Sequence, residues 1–170
     1  MALFTDQDLV NFLGDPDLDT ERVELARSLA TGMIEAHTNQ RIERQNYTHL
    51  LPVVDGVVTL PQRPVISVAE VLSMGDPVEF RFNLTPWLLV DNTLDKVQVT
   101  YEAGWDPVPN AVKAVALGLA SRIFTSPSGV KTERIDDYQV TYEGAKDGLT
   151  LQECKVLNRY RASHSTVVPS

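Results

Sequence analysis

The stretch Val97–Thr125, VQVTYEAGWDPVPNAVKAVALGLASRIFT, changes hydrophobic period within itself, and no other feature limits the fold as much. Val97, Val99 and Tyr101 alternate with Gln98, Thr100 and Glu102. A period of two predicts a half-buried strand. Ala103-Gly104 breaks it, Trp105 follows as a large apolar anchor, and Pro107 and Pro109 lack the N–H that a ladder needs. From Asn110 the steps become three and four. Val112, Val115, Ala116, Leu119, Ala120, Ile123 and Phe124 share one wide helical face, which Ala111, Ala114 and Leu117 extend. A helix this apolar is expected to pack on two sides: both within its own core, or one against that core and one against a neighbouring subunit.

The segments before this stretch repeat the contrast. Thr5 can cap a first helix with Asp8 three residues on, Phe4 can staple to Leu9, and Gly14 can end it. Asp15, Asp17 and Asp19 have calcium-loop spacing, but Thr20 stands where that loop needs Gly and Ala26 where it needs Glu. They are better read as a turn, with Asp19 or Thr20 capping a second helix from about Glu21 to His37. Val23, Ala26, Ala30, Met33, Ile34 and His37 form one stripe of that helix, and Leu25, Leu29, Gly32 and Ala36 a second. Residues 41–102 read as strands. Asp55-Gly56 between apolar runs predicts a hairpin turn. Pro61 and Pro64 fix an extended bend, Ile66–Leu72 is a further strand, and Val78–Phe82 and Trp87–Val90 are shorter ones.

Beyond the long helix, a hairpin is expected around Asp136-Asp137. Its arms are Val130–Ile135 and Tyr138–Tyr142, and Gln139-Val140-Thr141-Tyr142-Glu143 repeats Gln98-Val99-Thr100-Tyr101-Glu102 letter for letter. The flanks differ, so these are two similar strands and not an internal repeat. Thr150 and Glu153 form the capping-box pattern of a last helix with Leu151, Cys154, Leu157 and Tyr160 on its apolar face. The tail from Ala162 to Ser170 has no pattern and is expected to be flexible.

Three segments resemble the head–tail connector (adaptor, or head-completion) proteins of long-tailed bacteriophages. The first is the strand, Gly-aromatic turn, Pro and small-residue helix carried by Val97, Val99, Tyr101, Gly104, Trp105 and Pro109. The second is LPxxPVxxVxxV, here Leu60, Pro61, Pro64, Val65, Val68 and Val71. The third is the ending LTxxExxxLxxYR, here Leu149, Thr150, Glu153, Leu157, Tyr160 and Arg161. The resemblance implies a single α+β connector domain over residues 1–161. It would be an antiparallel helical core of about four helices, with a β insertion at about 41–102 between the second and third helices. A C-terminal helix and flexible tail, residues 162–170, would follow.

The same resemblance implies a structural protein of the virion neck, assembled in the host cytoplasm. About twelve copies would form a ring under the portal protein at the capsid vertex, extend the DNA channel and offer a platform for a head-closure or tail-terminator protein. The family's portal-binding segment falls on Lys155, Arg159, Tyr160, Arg161, His164, Val167 and Val168 of this chain. Candidates for packing between copies are Trp105, Leu119, Ile123, Leu25 and Leu29.

Composition fits this class. The net charge is −8, and residues 1–38 carry −6 of it. Tight nucleic-acid binding needs clustered Lys and Arg, so DNA is expected to pass without being held. One cysteine, Cys154, makes no internal disulfide, and no apolar run approaches the ~20 residues of a membrane span. No nucleophile elbow, phosphate loop, C-x-x-C or H-E-x-x-H occurs, and His37, His49 and His164 are scattered. No catalytic, metal or cofactor site is assigned. Two other readings are a different neck component, a head-closure or tail-terminator protein dominated by β structure, and a small enzyme with a dispersed site.

Overall fold

The computed structural model describes residues 3–15, 17–125, 132–135, 138–141 and 148–162; for 132–135 and 138–141 only the backbone is described. The elements are α1 (Asp6–Leu13), α2 (Thr20–Thr38), β1 (Gln45–Pro52), β2 (Val57–Thr59), β3 (Val65–Ser73), β4 (Asp76–Pro77), β5 (Arg81–Phe82), β6 (Trp87–Leu89), β7 (Lys96–Ala103), α3 (Asn110–Thr125), β8 (Thr132–Ile135), β9 (Tyr138–Thr141) and α4 (Leu151–Leu157), followed by a 3₁₀ turn at Asn158–Tyr160. The chain is α+β, the named strands pair antiparallel, and seven of them lie between α2 and α3. Two compact units result. One joins Met1–Asn39 to Val108–Arg161, and the other is built on Gln40–Pro107.

In the helical unit the caps fall where the sequence places them. Thr5 Oγ1 accepts the Asp8 N–H at 3.2 Å, and Asp8 Oδ2 accepts the Thr5 N–H at 2.8 Å. Phe4 and Leu9 are both buried, as a hydrophobic staple requires. Asp19 Oδ1 accepts the Glu21 N–H at 3.0 Å and starts α2. Val23, Ala26, Ala30, Ile34 and Thr38 are the buried face of α2, and Val112, Val115, Ala116, Leu119 and Ala120 that of α3, on which α2 packs. Alanines on both faces let the two backbones approach closely. Ion pairs tie the helices together: Lys113–Asp8 at 2.9 Å joins α3 to α1, and Arg27–Asp6 at 3.2 Å joins α2 to α1. One expectation fails. Leu151 is 83% exposed and not on the apolar face of α4, because it is the first residue of the helix and Leu157 fills the core.

In the β unit, one sheet has the order β1-β7-β3-β4 and a smaller one β2-β6-β5. The central strand β7 buries Val97, Val99, Tyr101 and Ala103, the alternate positions of the period-two pattern. Val58, Leu60, Val65, Val71 and Leu88 complete this core. Asp55 and Gly56 have positive φ (52° and 76°), and Val54 and Val57 exchange two 2.9 Å hydrogen bonds, so the predicted turn forms. The hairpin does not extend past that pair. β1 continues against β7 over eight residues, while β2 leaves to pair with β6, setting buried Val58 opposite buried Leu88. Apart, β1 gains eight partners on β7, and β2 sets its one buried residue against a buried residue of β6. Of the expected strand Val78–Phe82 only Arg81–Phe82 is a strand, and it joins β6; the chain before it, Asp76–Pro77, folds back on β3 through a tight turn at Met74-Gly75, and the Val78 N–H still donates to Val71 O at 2.9 Å.

Gly104 closes the unit. Its N–H donates to Pro64 O at 3.0 Å, and the next N–H, of Trp105, donates to Ile42 O at 2.9 Å. Its φ is +113°, and a Cβ here would collide with the Glu43 carbonyl oxygen and lie 2.6 Å from the carbonyl carbon. Only glycine satisfies both constraints. The β8–β9 hairpin is present, with Ile135 opposite Tyr138; Asp136-Asp137 lies outside the described residues, as does the tail at 163–170.

Two outcomes are expected. Gly104→Ala combines a backbone clash with a disfavoured φ and should cost about 2–4 kcal/mol, measured by urea unfolding; an unchanged midpoint would contradict the close approach. Lys113, through a side-chain hydrogen bond, and the Thr5 N–H hold the Asp8 carboxyl at about 2 against 3.8. A carboxylate with a depressed folded pKa stabilises fully above its unfolded pKa and loses that contribution as pH falls through the folded value. The pair is solvent-accessible, so Lys113→Met should cost under about 1 kcal/mol at neutral pH. The difference from wild type should shrink between about pH 4 and pH 2, and a gap constant to pH 2 would refute the pairing.

Candidate interaction surfaces

The C-terminal end of the helical unit is built by one carboxylate. Glu153 Oε2 accepts the Thr150 N–H at 2.8 Å and closes the capping box of α4. The same carboxylate takes a two-pronged contact from Arg122 of α3, Nη1 to Oε1 at 2.9 Å and Nη2 to Oε2 at 2.8 Å. Arg122 and Thr150 together hold the Glu153 carboxyl below its ordinary range against the opposing effect of burial, which is the largest single influence on it. Leu157 is buried beneath α4, and His37 Nε2 lies 3.1 Å from Asn158 Oδ1 at its end. His37 thus bonds a side chain of the last turn and not the free carbonyls of its own helix. Fixed this way, α4 and its 3₁₀ turn leave Lys155, Arg159 and Arg161 exposed and Tyr160 half-buried. Among the described residues none of these three cations is in an ion pair. His164, Val167 and Val168 lie outside the described residues.

The candidates for packing between copies do not form one patch. Leu25 and Leu29 are 59% and 44% exposed, and Gly32 and Ala36 continue their stripe at the surface of α2. Leu119 is buried in the core of its own unit and offers no surface, because it belongs to the face that meets α2. Ile123 is half-buried. Trp105 is half-buried in the other unit, where its backbone bridges to Glu43.

Sequence reading missed the outer face of the small sheet. Trp87 and Leu89 are exposed on one side of β6 while Leu88 is buried on the other. Trp87-Leu88-Leu89 is a continuous apolar run, so no alternation showed which side faces out; pairing with β2 and β5 decides it. Exposed Trp beside Leu is common where proteins meet.

Ionisable side chains gather without forming a reactive site. Tyr101 O–H accepts the Gln62 N–H at 3.3 Å and lies 3.0 Å from His49 Nδ1, and Tyr47 stacks on both rings. Burial pushes the Tyr101 hydroxyl up to about 12, which makes it a packing group and not an acid or base at neutral pH. Asp15 accepts the Asp17 N–H and Asp19 caps α2, so two of the three calcium-spaced carboxylates serve the backbone. Among the described residues no three or more His, Cys, Asp or Glu side chains gather as metal ligands, and no helix is long and apolar enough to cross a membrane.

No family model and no curated protein matches the chain. Solved structures do. One similar structure is a chain of the neck of an empty gene transfer agent (GTA) particle computed with C6 symmetry, at TM-score 0.62 and 17% identity, covering 95% of this chain and 90% of that one. Another is a chain of the virion of a native gene transfer agent particle, at TM-score 0.61 and 17% identity with the same coverage. The chain therefore has, over nearly its whole length, the fold of a chain in the neck of a gene transfer agent particle.

Proposed function

We propose that this protein is a structural, non-enzymatic subunit of the neck of a tailed phage or phage-like particle. The observation that carries the reading is the shared fold across 95% of the chain with a component of a particle neck. The connector segments support it independently, since each sits in the element it needs: Val97–Tyr101 in β7, Val65–Val71 in β3 and Thr150–Leu157 at the capping box of α4. About twelve copies form a ring under the portal protein, with heterologous contacts between copies. The ring extends the DNA channel and presents its other side to a head-closure or tail-terminator protein. The portal contact runs through the exposed basic end, Lys155, Arg159 and Arg161, with Tyr160, and through His164, Val167 and Val168. The four helices among the described residues count against a closure or terminator protein built mainly of β structure.

The charge distribution suits a conduit. Of the cations that could form a DNA-binding face in the β unit, Arg44 is committed to Glu102 by two bonds of 2.7 and 2.9 Å. Acidic side chains repel phosphate over roughly one Debye length, ~8 Å at physiological salt. Asp55, Asp76, Asp91 and Asp95, with the acidic residues of 1–38, are the groups available for that wall.

Electron microscopy of the purified protein with an isolated portal ring tests the reading directly: added density under the portal is expected, and its absence at saturating protein refutes it. Deleting residues 163–170 should leave the folding midpoint within about 0.5 kcal/mol and abolish portal association. Full binding by the truncated chain would remove the tail from the contact. The isolated protein should also show no duplex-DNA binding at low salt; micromolar affinity that falls steeply with added salt would overturn the conduit reading.

A further inference from the structure

The β1 strand has a second edge. Val53 N–H donates to Asp95 O at 2.9 Å in the register that runs on to Pro52↔Lys96 and back to Gln45↔Ala103. Antiparallel ladders alternate, so Gln45, Tyr47, His49 and Leu51 turn their backbones toward β7. Asn46, Thr48 and Leu50 turn theirs away, and no named strand pairs with that side of β1. Natural edges are usually guarded by a bulge, a charge or brevity. β3 in the same sheet has two register shifts, and β4 at the far edge has two residues. β1 has eight residues in unbroken register and no Lys, Arg, Asp or Glu; its only guard is Pro52 at the end. An edge in this state is a template for strand addition.

The chain also holds a strand made for that edge. The inner partner of β1 is β7, whose Gln98-Val99-Thr100 stand opposite Leu50, His49 and Thr48. The same letters recur as Gln139-Val140-Thr141 in β9. β8 and β9 form a two-stranded sheet that no other named strand joins, an arrangement marginally stable in isolation. We propose that β9 of one copy adds to the outer edge of β1 of the next, taking on that side the register β7 takes on the other. β1 and β9 are different surfaces, so the contact is head-to-tail and generates a ring or an open array. The inference rests on the ring reading only for closure, since the contact itself requires no portal.

Two measurements on the full chain test it. In a Cys154→Ser background, Leu50→Cys with Gln139→Cys should give a ladder of disulfide-linked oligomers on mild oxidation, while either single variant stops at dimer. Leu50→Pro removes an outward N–H without touching the β7 ladder and should weaken self-association, read by sedimentation over rising concentration, at least about tenfold. Absence of the ladder, a disulfide confined within one chain, or association of Leu50→Pro equal to wild type would overturn the strand contact. None of these outcomes touches the neck reading, which fails only if wild-type protein leaves the portal bare.

Discussion

The β unit depends on one close approach of main chain to main chain. At Gly104 the end of β7 passes the Glu43 carbonyl at a separation that excludes a side chain, and hydrogen bonds to Pro64 and Ile42 lock the crossing from both sides. Everything upstream is set by it. β7 enters with its register against β1 and β3 already fixed, so its four buried residues face one core. A one-residue slip would turn Val97, Val99 and Tyr101 to solvent. The chain passes from strand to helix within six residues of Gly104, at Asn110. The organising stretch thus seats its strand through a residue that has no side chain.

The helical unit is held differently. Its core mixes large residues, among them Phe4, Leu9, Ile34, Leu119 and Leu157, with alanines at Ala26, Ala30, Ala116 and Ala120. Caps fix where its helices begin. Each helix start that carries a side-chain cap uses the residue the sequence offers, Thr5, Asp19 or Thr150. Partly shielded ion pairs between helices add register more than strength. The exposed second stripe of α2, Leu25 and Leu29, is what remains when one helix face is satisfied and the other is left at the surface.

Local signals were legible in the sequence and longer-range choices were not. Caps, the change of period at Val97–Thr125, the Asp55-Gly56 turn and the β8–β9 hairpin depend on neighbours within a few residues, and they stand where the residues put them. Strand partnership depends on which ladder buries more. So the turn at Asp55-Gly56 formed while its arms separated, and the expected strand Val78–Phe82 shrank to Arg81–Phe82. The basic end at Lys155, Arg159 and Arg161 was visible because its helix announces itself with a capping box. The Trp87–Leu89 face was hidden because an unbroken apolar run has no sidedness until its neighbours are known. Leu119 was misplaced for the same reason: on a helix apolar most of the way round, only packing says which stripe is core.

The double duty of Glu153 bears on how such a chain can change over time. A helix of seven residues cannot persist alone, and this one is secured to α3 through the single carboxylate that also caps it. Arg122 and Glu153 therefore fix where α4 and its 3₁₀ turn sit in the helical unit. A descendant that keeps this pair can vary the exposed positions Lys155, Arg159 and Arg161 and still present whatever side chains stand there from the same place.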